Sequence, residues 1–194
     1  MVNVIVLIVT LILFLLVLAI VLRAIVKRQP IIGRPPIPVV FFILAKILVM
    51  VNLSFLLMRG LNISVDRIYR SIPVIDGIAI ILLILGTLVL IQSTIQLNKD
   101  LIFGLSDSEG HHLQTKGLFS ISRHPFYLGF IFILFSSCLL YPNYVNILAF
   151  LGAWCIHHFI MISEEKFLES VYGKEYRLYK KRVKRYLSLK YTKP

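Results

Sequence analysis

Charge is what this sequence lacks most. Only 15% of its 194 residues are Asp, Glu, Lys or Arg, against about 25% in a typical soluble domain. With 58% of the residues hydrophobic and a mean hydropathy of +0.87, a soluble enzyme and a disordered tail are both excluded. Cysteine is as scarce. Cys138 and Cys155 are the two present, each inside an apolar stretch, which excludes a disulfide scaffold and suits small core hydrophobes. There is no GxGxxG, P-loop or GxSxG signature. The histidines form the neighbouring pairs His111/His112 and His157/His158, which do not share a helix face. With no HxxxH or CxxC spacing, no metal site is expected.

What is present is a series of apolar runs. A bilayer core about 30 Å thick needs roughly 20 apolar residues in helix. The run Val2–Val26 meets that length with one charge, Arg23, near its end. It has neither the basic start nor the cleavage site of a signal peptide. Further runs are Val39–Met58, Ile72–Leu97, Tyr127–Leu140 and Tyr144–Ile162. The last two are parted only by Tyr141-Pro142-Asn143, a turn signal. The expected fold is an all-α integral membrane protein with five transmembrane helices, the fourth and fifth forming a hairpin. Residues 1–97 hold the first three helices. Residues 98–194 hold a connector, the hairpin and a basic tail.

The net charge of +12 is unevenly placed, with ten of the 21 Lys and Arg lying between Lys166 and Lys193. A basic patch directly after a membrane helix suits anionic headgroups. No motif of a nucleic-acid binder accompanies it, so a nucleic-acid partner is not expected. Basic residues on alternate loops orient the chain. The first loop, the third loop and the tail carry seventeen, and the second and fourth loops carry three. The N-terminus is therefore expected outside and the C-terminus in the cytoplasm, in a prokaryotic plasma membrane sooner than in the endoplasmic reticulum.

Three polar constellations remain. The first is His111-His112-Leu113, Gly117-Leu118-Phe119 and Arg123-His124-Pro125-Phe126-Tyr127, which runs straight into the fourth helix. Pro125 suits the first helical turn, which sets Arg123 and His124 at the mouth and Tyr127 one turn in. The second is Glu164-Glu165 at the end of the fifth helix. Carboxylates beside a bilayer are costly unless they face water or a partner, and a spacing of seven aligns His157 with Glu164 and His158 with Glu165. The third is Tyr172 to Tyr186, which alternates aromatic and basic residues as an amphipathic helix on anionic lipid does. By composition alone the first constellation also fits an aromatic belt at headgroup level, and the second a solvated helix end.

Taken in order, His111-x-Leu113-x₃-Gly117-Leu118-Phe119-x₃-Arg123-His124-Pro125-x-Tyr127-x-Gly129, then Glu164-Glu165-x₆-Tyr172-Gly173-x-Glu175-Tyr176-x₂-Tyr179, the string resembles the isoprenylcysteine carboxyl methyltransferases. It is similar also to the related phospholipid N-methyltransferases. The resemblance implies a membrane enzyme with S-adenosyl-L-methionine as cofactor in a cytoplasmic pocket of the C-terminal region. It further implies cofactor contacts at His111, Leu113, Phe119, His124, Pro125, Tyr127, Glu164 and Glu165. Arg123 is the implied catalytic residue, orienting the acceptor. The implied partners are membrane lipid and a lipophilic small-molecule or prenylated acceptor, without metal. Phe119 stands where the family usually has Tyr. Ile160 stands where prenylcysteine-specific members have an arginine, and the tail reads Val183-Lys184-Arg185 in place of Val-Pro-Arg. The last two departures bear on the acceptor more than on the cofactor.

The favoured reading is methyl-ester formation on an isoprenylcysteine-like carboxylate. N- or O-methylation of a phospholipid or other small lipid, an NADPH-dependent membrane reductase, and a membrane protein without catalysis are the alternatives. The charge distribution makes a prediction of its own. A phosphatase reporter fused after Pro194 should be inactive and a cytoplasm-active reporter at the same place active. The opposite pattern overturns the orientation.

Overall fold

The computed structural model describes residues 1–26, 28, 33–64, 66–69, 72–97 and 113–188. Its regular elements are helices: α1 (Val2–Val26), α2 (Val39–Gly60), α3 (Pro73–Leu97), a single 3₁₀ turn (Gly117–Ser120), α4 (Pro125–Leu140) and α5 (Tyr144–Arg182). Among the described residues α1, α2, α3 and α5 are long and apolar enough to cross a membrane, and α4 is a shorter apolar helix. The chain is thus an all-α, multi-pass membrane protein. With 16 residues, α4 is about 24 Å long.

The boundaries follow the punctuation of the sequence. Proline opens α3 and α4, where its missing N–H costs nothing. Asn143 caps α5 by accepting from the Val145 N–H at 2.9 Å. The fifth helix runs on past its apolar part, through the two glutamates to Arg182. It bends at Gly173, whose φ of 51° and ψ of −116° are not helical. Only glycine adopts such a conformation without a Cβ penalty, so the aromatic and basic segment turns away from the axis of the membrane part.

Two kinds of contact hold the bundle. The first is close packing of small residues. A Cβ built on Gly86 of α3 would lie 2.8 Å from the Gly129 carbonyl oxygen, and one built on Gly129 of α4 would lie 2.8 Å from the Gly86 carbonyl oxygen. The two backbones touch there, as small residues allow in a membrane, and this fixes where α4 stands. The second is polar pairing away from lipid. At the end remote from the basic tail, Arg59 of α2 meets Asp76 of α3 at 3.0 Å with both side chains buried, and Arg59 also bonds Asn3 of α1. Inside, Asn146 of α5 donates to Ser137 Oγ of α4 at 3.0 Å, and Ser137 Oγ donates to the Asn52 carbonyl of α2 at 2.9 Å.

A leucine at Gly86 should force α3 and α4 apart and lower the melting temperature in detergent by an amount worth about 1–3 kcal/mol. Gly77→Leu is the control, because nothing lies within 4 Å of that position. Equal melting temperatures for the two variants would refute the close-contact account.

Candidate active site

The polar residues converge at the basic end of the bundle, where four segments meet: the strip before α4, the first turn of α4, the end of α5, and the tail after it. The meeting is built from the backbone outward. The Arg123 N–H donates to the Lys184 carbonyl at 3.0 Å and the Ser188 N–H to the Ile121 carbonyl at 2.8 Å. Ser122 Oγ adds a bond to the Arg185 carbonyl at 3.0 Å. The tail therefore folds back along the strip 121–124.

Glu165 closes this junction. Its side chain is 3% exposed. Oε1 accepts from Arg123 Nη2 at 2.7 Å, from Arg185 Nε at 2.7 Å, and faces His124 Nε2 at 3.2 Å. Oε2 accepts from Arg185 Nη2 at 3.0 Å. These residues lie beyond the apolar part of α5. Burial alone would raise the Glu165 carboxyl, but the bonds from His124, Arg185 and Arg123 outweigh it and hold the group well below the ordinary carboxylate range. Arg123 does a second job. Its Nη1 donates to the carbonyls of Lys180 at 3.2 Å and Val183 at 2.9 Å, groups that have no helical partner at the end of α5. A cation also suits the negative end of the helix dipole.

Glu164 has a different surrounding. Adjacent residues on a helix point about 100° apart, so it faces α4 and not the tail. Its Oε1 accepts from the Tyr127 hydroxyl at 2.6 Å. Its Oε2 is 3.8 Å from His124 Nδ1, and its side chain keeps 18% exposure. The rings of His124 and of His157 lie 5.7 Å and 5.6 Å from the Tyr127 ring, making an aromatic wall beside the carboxylate. His157 Nδ1 donates to the Ala153 carbonyl at 2.7 Å, which leaves the Nε2 lone pair when the ring is neutral. On the other face His158 stacks on Tyr186, centroids 5.9 Å apart, with Nδ1 2.6 Å from its hydroxyl. The alignment of His157 with Glu164 and of His158 with Glu165 is thus realised, one pair facing α4 and the other facing the tail.

Of the other expected site residues, Pro125 is buried at the start of α4. Phe119 is buried in the 3₁₀ turn, and its carbonyl accepts from the Tyr179 hydroxyl at 2.6 Å. Leu113 packs against the cluster of Tyr176, Tyr179 and Val183. His111 lies outside the described residues. The sequence reading placed Glu165 on the cofactor, whereas the structure commits both its oxygens to side chains of this chain. Two further participants were named in the sequence strings without a role. Arg185, in Val183-Lys184-Arg185, is one. Tyr176 is the other: it is 1% exposed and its hydroxyl has no hydrogen-bond partner among the described residues.

A family model described as phospholipid methyltransferase matches residues 75–175, just over half of the chain, including α4 and α5 as far as Glu175. The chain is also 34% identical over 77 residues to a protein-S-isoprenylcysteine O-methyltransferase of Schizosaccharomyces pombe. That match covers 39% of this chain and 33% of the yeast protein, so the chain spans about a third of this relative's length. No solved structure matches.

The junction yields two predictions. Glu165→Ala leaves two arginines facing each other without a counter-charge, a change that costs about 3–5 kcal/mol when a buried pair is broken. It should appear as a large fall in melting temperature and faster proteolysis after Val183. A tail as protected as in the wild type would refute the role given to Glu165. The pH dependence has a definite sign. Because the folded Glu165 sits below its unfolded value of about 4.3, its contribution is fully present at neutral pH and decays as pH falls below that value. In Glu165→Gln that acid-side decay should be smaller in a pH series of thermal melts.

Proposed function

The chain belongs to the phospholipid methyltransferase family, and on that footing we propose that it is an integral membrane methyltransferase using S-adenosyl-L-methionine to esterify the carboxylate of a lipophilic, prenylcysteine-like acceptor. The observation that carries this reading is the Tyr127–Glu164 pair with its aromatic wall, opening at the end of α5 beside the strip and the tail. The basic end is then the cytoplasmic one. In this reading residues 98–194 form the methyltransferase region, and α2 supplies one side of it.

The residues suit such a donor. S-Adenosyl-L-methionine supplies an activated methyl on a positive sulfur, together with an ammonium, a ribose diol and a carboxylate to be recognised. Glu164 has an oxygen not used by Tyr127 and is partly open, so it can accept from the diol or the ammonium. The rings of His124, Tyr127 and His157 present π faces to a neighbouring cation. The unpartnered Tyr176 hydroxyl offers a further donor, and Leu113, Phe119 and Pro125 close the apolar side. Glu165 is by contrast a positioning residue. It holds His124 in place and, through Arg123 and Arg185, keeps the tail folded over the site. Arg123 orients the site by the same bonds.

Little further chemistry is asked of the chain. A carboxylate acceptor is already a nucleophile, so no base is needed, and catalysis rests on holding the reacting groups in line. Such positioning is worth as much as about 7–11 kcal/mol. N-Methylation of a phospholipid amine is the second reading. It draws on the description of the family model.

The test is calorimetry in detergent with S-adenosylhomocysteine and, separately, NADPH. The wild-type protein should bind the first and not the second. Glu164→Ala should weaken that binding about tenfold or more, the scale of one hydrogen bond to a charged group, with its melting temperature kept. NADPH binding alone, or unchanged binding in Glu164→Ala, overturns the proposal. Incubation with labelled donor and prenylcysteine or phosphatidylethanolamine then separates the two acceptor classes.

A further inference from the structure

The end of α5 and the tail carry a face that the site does not use. Past the bend at Gly173, Tyr176, Tyr179 and Val183 form one buried face. Lys174, Arg177, Leu178 and Lys181 are exposed, and at about 100° per residue they share the opposite third of the helix. Leu178 is 50% exposed, as is Leu187 further on, and Arg182 and Lys184 stand exposed between them. From Lys166 to Lys193 ten basic residues face two acidic ones, Glu169 and Glu175, and Glu169 pairs with Lys180. Beyond Val183 the tail returns to the depth of the membrane helix. Tyr186 stacks on His158, with its hydroxyl 2.6 Å from Nδ1, and Trp154 bonds the same hydroxyl. Trp154 and His158 lie eight and four residues before Ile162, where the apolar run of α5 ends, about 12 and 6 Å back along the axis. Tyrosine and tryptophan at that level mark the border between membrane and water.

We propose that residues 174–187 dock on the anionic headgroup surface of the leaflet they emerge from, and that this docking tightens the donor site. The docking stands on the tail itself, and its effect on the donor rests on the proposed reaction. Three physical points favour this occupant. Leucines exposed among cations suit a surface that accepts an apolar group and a negative surface charge together, as anionic lipid does. The imbalance of ten basic residues to two acidic ones complements such a leaflet. Tyr186 fixes the tail at the border, so Lys184 and Arg182, two and four residues before it, stand where the leaflet's potential is felt, a range of about 8 Å. The coupling runs through Arg185. It lies between Lys184 and Tyr186, and its guanidinium holds Glu165, which in turn faces His124. A tail pinned on the leaflet opens less often, and the junction beside Glu164 opens less often with it.

The full chain is placed in nanodiscs of phosphatidylcholine, or of phosphatidylcholine and phosphatidylglycerol in equal parts. Amide hydrogen exchange is followed over residues 174–188, and S-adenosylhomocysteine affinity is measured in the same discs. A cation near an anionic surface is worth about fivefold in the binding equilibrium, so several together should slow exchange about tenfold or more in the anionic discs. The affinity should rise about twofold or more, the gain when a half-open site is closed. Both effects should fade in high salt. The triple variant Lys174→Gln, Arg177→Gln, Lys181→Gln should behave in anionic discs as the wild type does in phosphatidylcholine, with its melting temperature in detergent kept because those side chains are exposed. Lys174→Arg with Lys181→Arg should retain both effects. Should the triple variant melt early, the salt series carries the same test on the wild type. Equal exchange in the two discs, meaning a solvated cationic face only, overturns the inference. So does slowing that survives in the triple variant or in high salt. Slowing with unchanged affinity overturns the coupling to the donor site. If S-adenosylhomocysteine binds in neither disc, the proposed reaction falls, while the exchange rates still decide the docking.

Discussion

One buried carboxylate organises the basic end of this protein. Glu165 sits between Arg123, His124 and Arg185, so the strip before α4, the end of α5 and the tail share a single counter-ion. Burying an unpaired carboxylate is expensive, and burying any of these cations alone would be too. Together they are stable only in the arrangement that brings all of them to one point. The main-chain bonds between 121–123 and 184–188 lie around that point. The position of His124, and through its ring that of Tyr127, follows from this arrangement.

The two neighbouring glutamates show how a helix divides labour. A rotation of about 100° between successive residues sends Glu165 into a sealed ion-pair cluster and Glu164 towards Tyr127 with exposure left over. The sealed carboxylate is saturated and holds structure. The open one keeps an oxygen that Tyr127 does not use, 3.8 Å from His124 Nδ1.

Rigidity away from the site comes from two other sources. The backbone contact of Gly86 with Gly129 sets the position of α4, which carries Tyr127. At the remote end the Arg59–Asp76 pair ties α2 to α3, and Asn3 of α1 accepts from Arg59 and donates to Asn62 Oδ1. In lipid, where apolar side chains gain little by leaving one another for the solvent, such close contacts and polar pairs carry a larger share of helix association. The wall formed by Phe42, Ala45 and Ile160 joins α2 to this same frame. The first three helices are therefore part of the site's construction as well as its anchor in the membrane.

The helices, their order and their starts were legible in the sequence, because a bilayer demands long apolar runs and proline and asparagine mark where they start; the fifth helix, expected to end at Ile162, runs on to Arg182. So was the set of polar residues that meet at one end, because lipid leaves so few places for charge. The heptad spacing even paired His157 with Glu164 and His158 with Glu165. Partnership was not legible. Nothing in the string separates Glu164 from Glu165, and nothing joins Arg185 to a residue 20 positions earlier. Those relations depend on which face of each helix meets which neighbour, and on the bend at Gly173 that returns the tail. Periodicity along a chain fixes faces within a helix, whereas contacts between helices are decided by how their surfaces fit, and only the folded molecule contains that information.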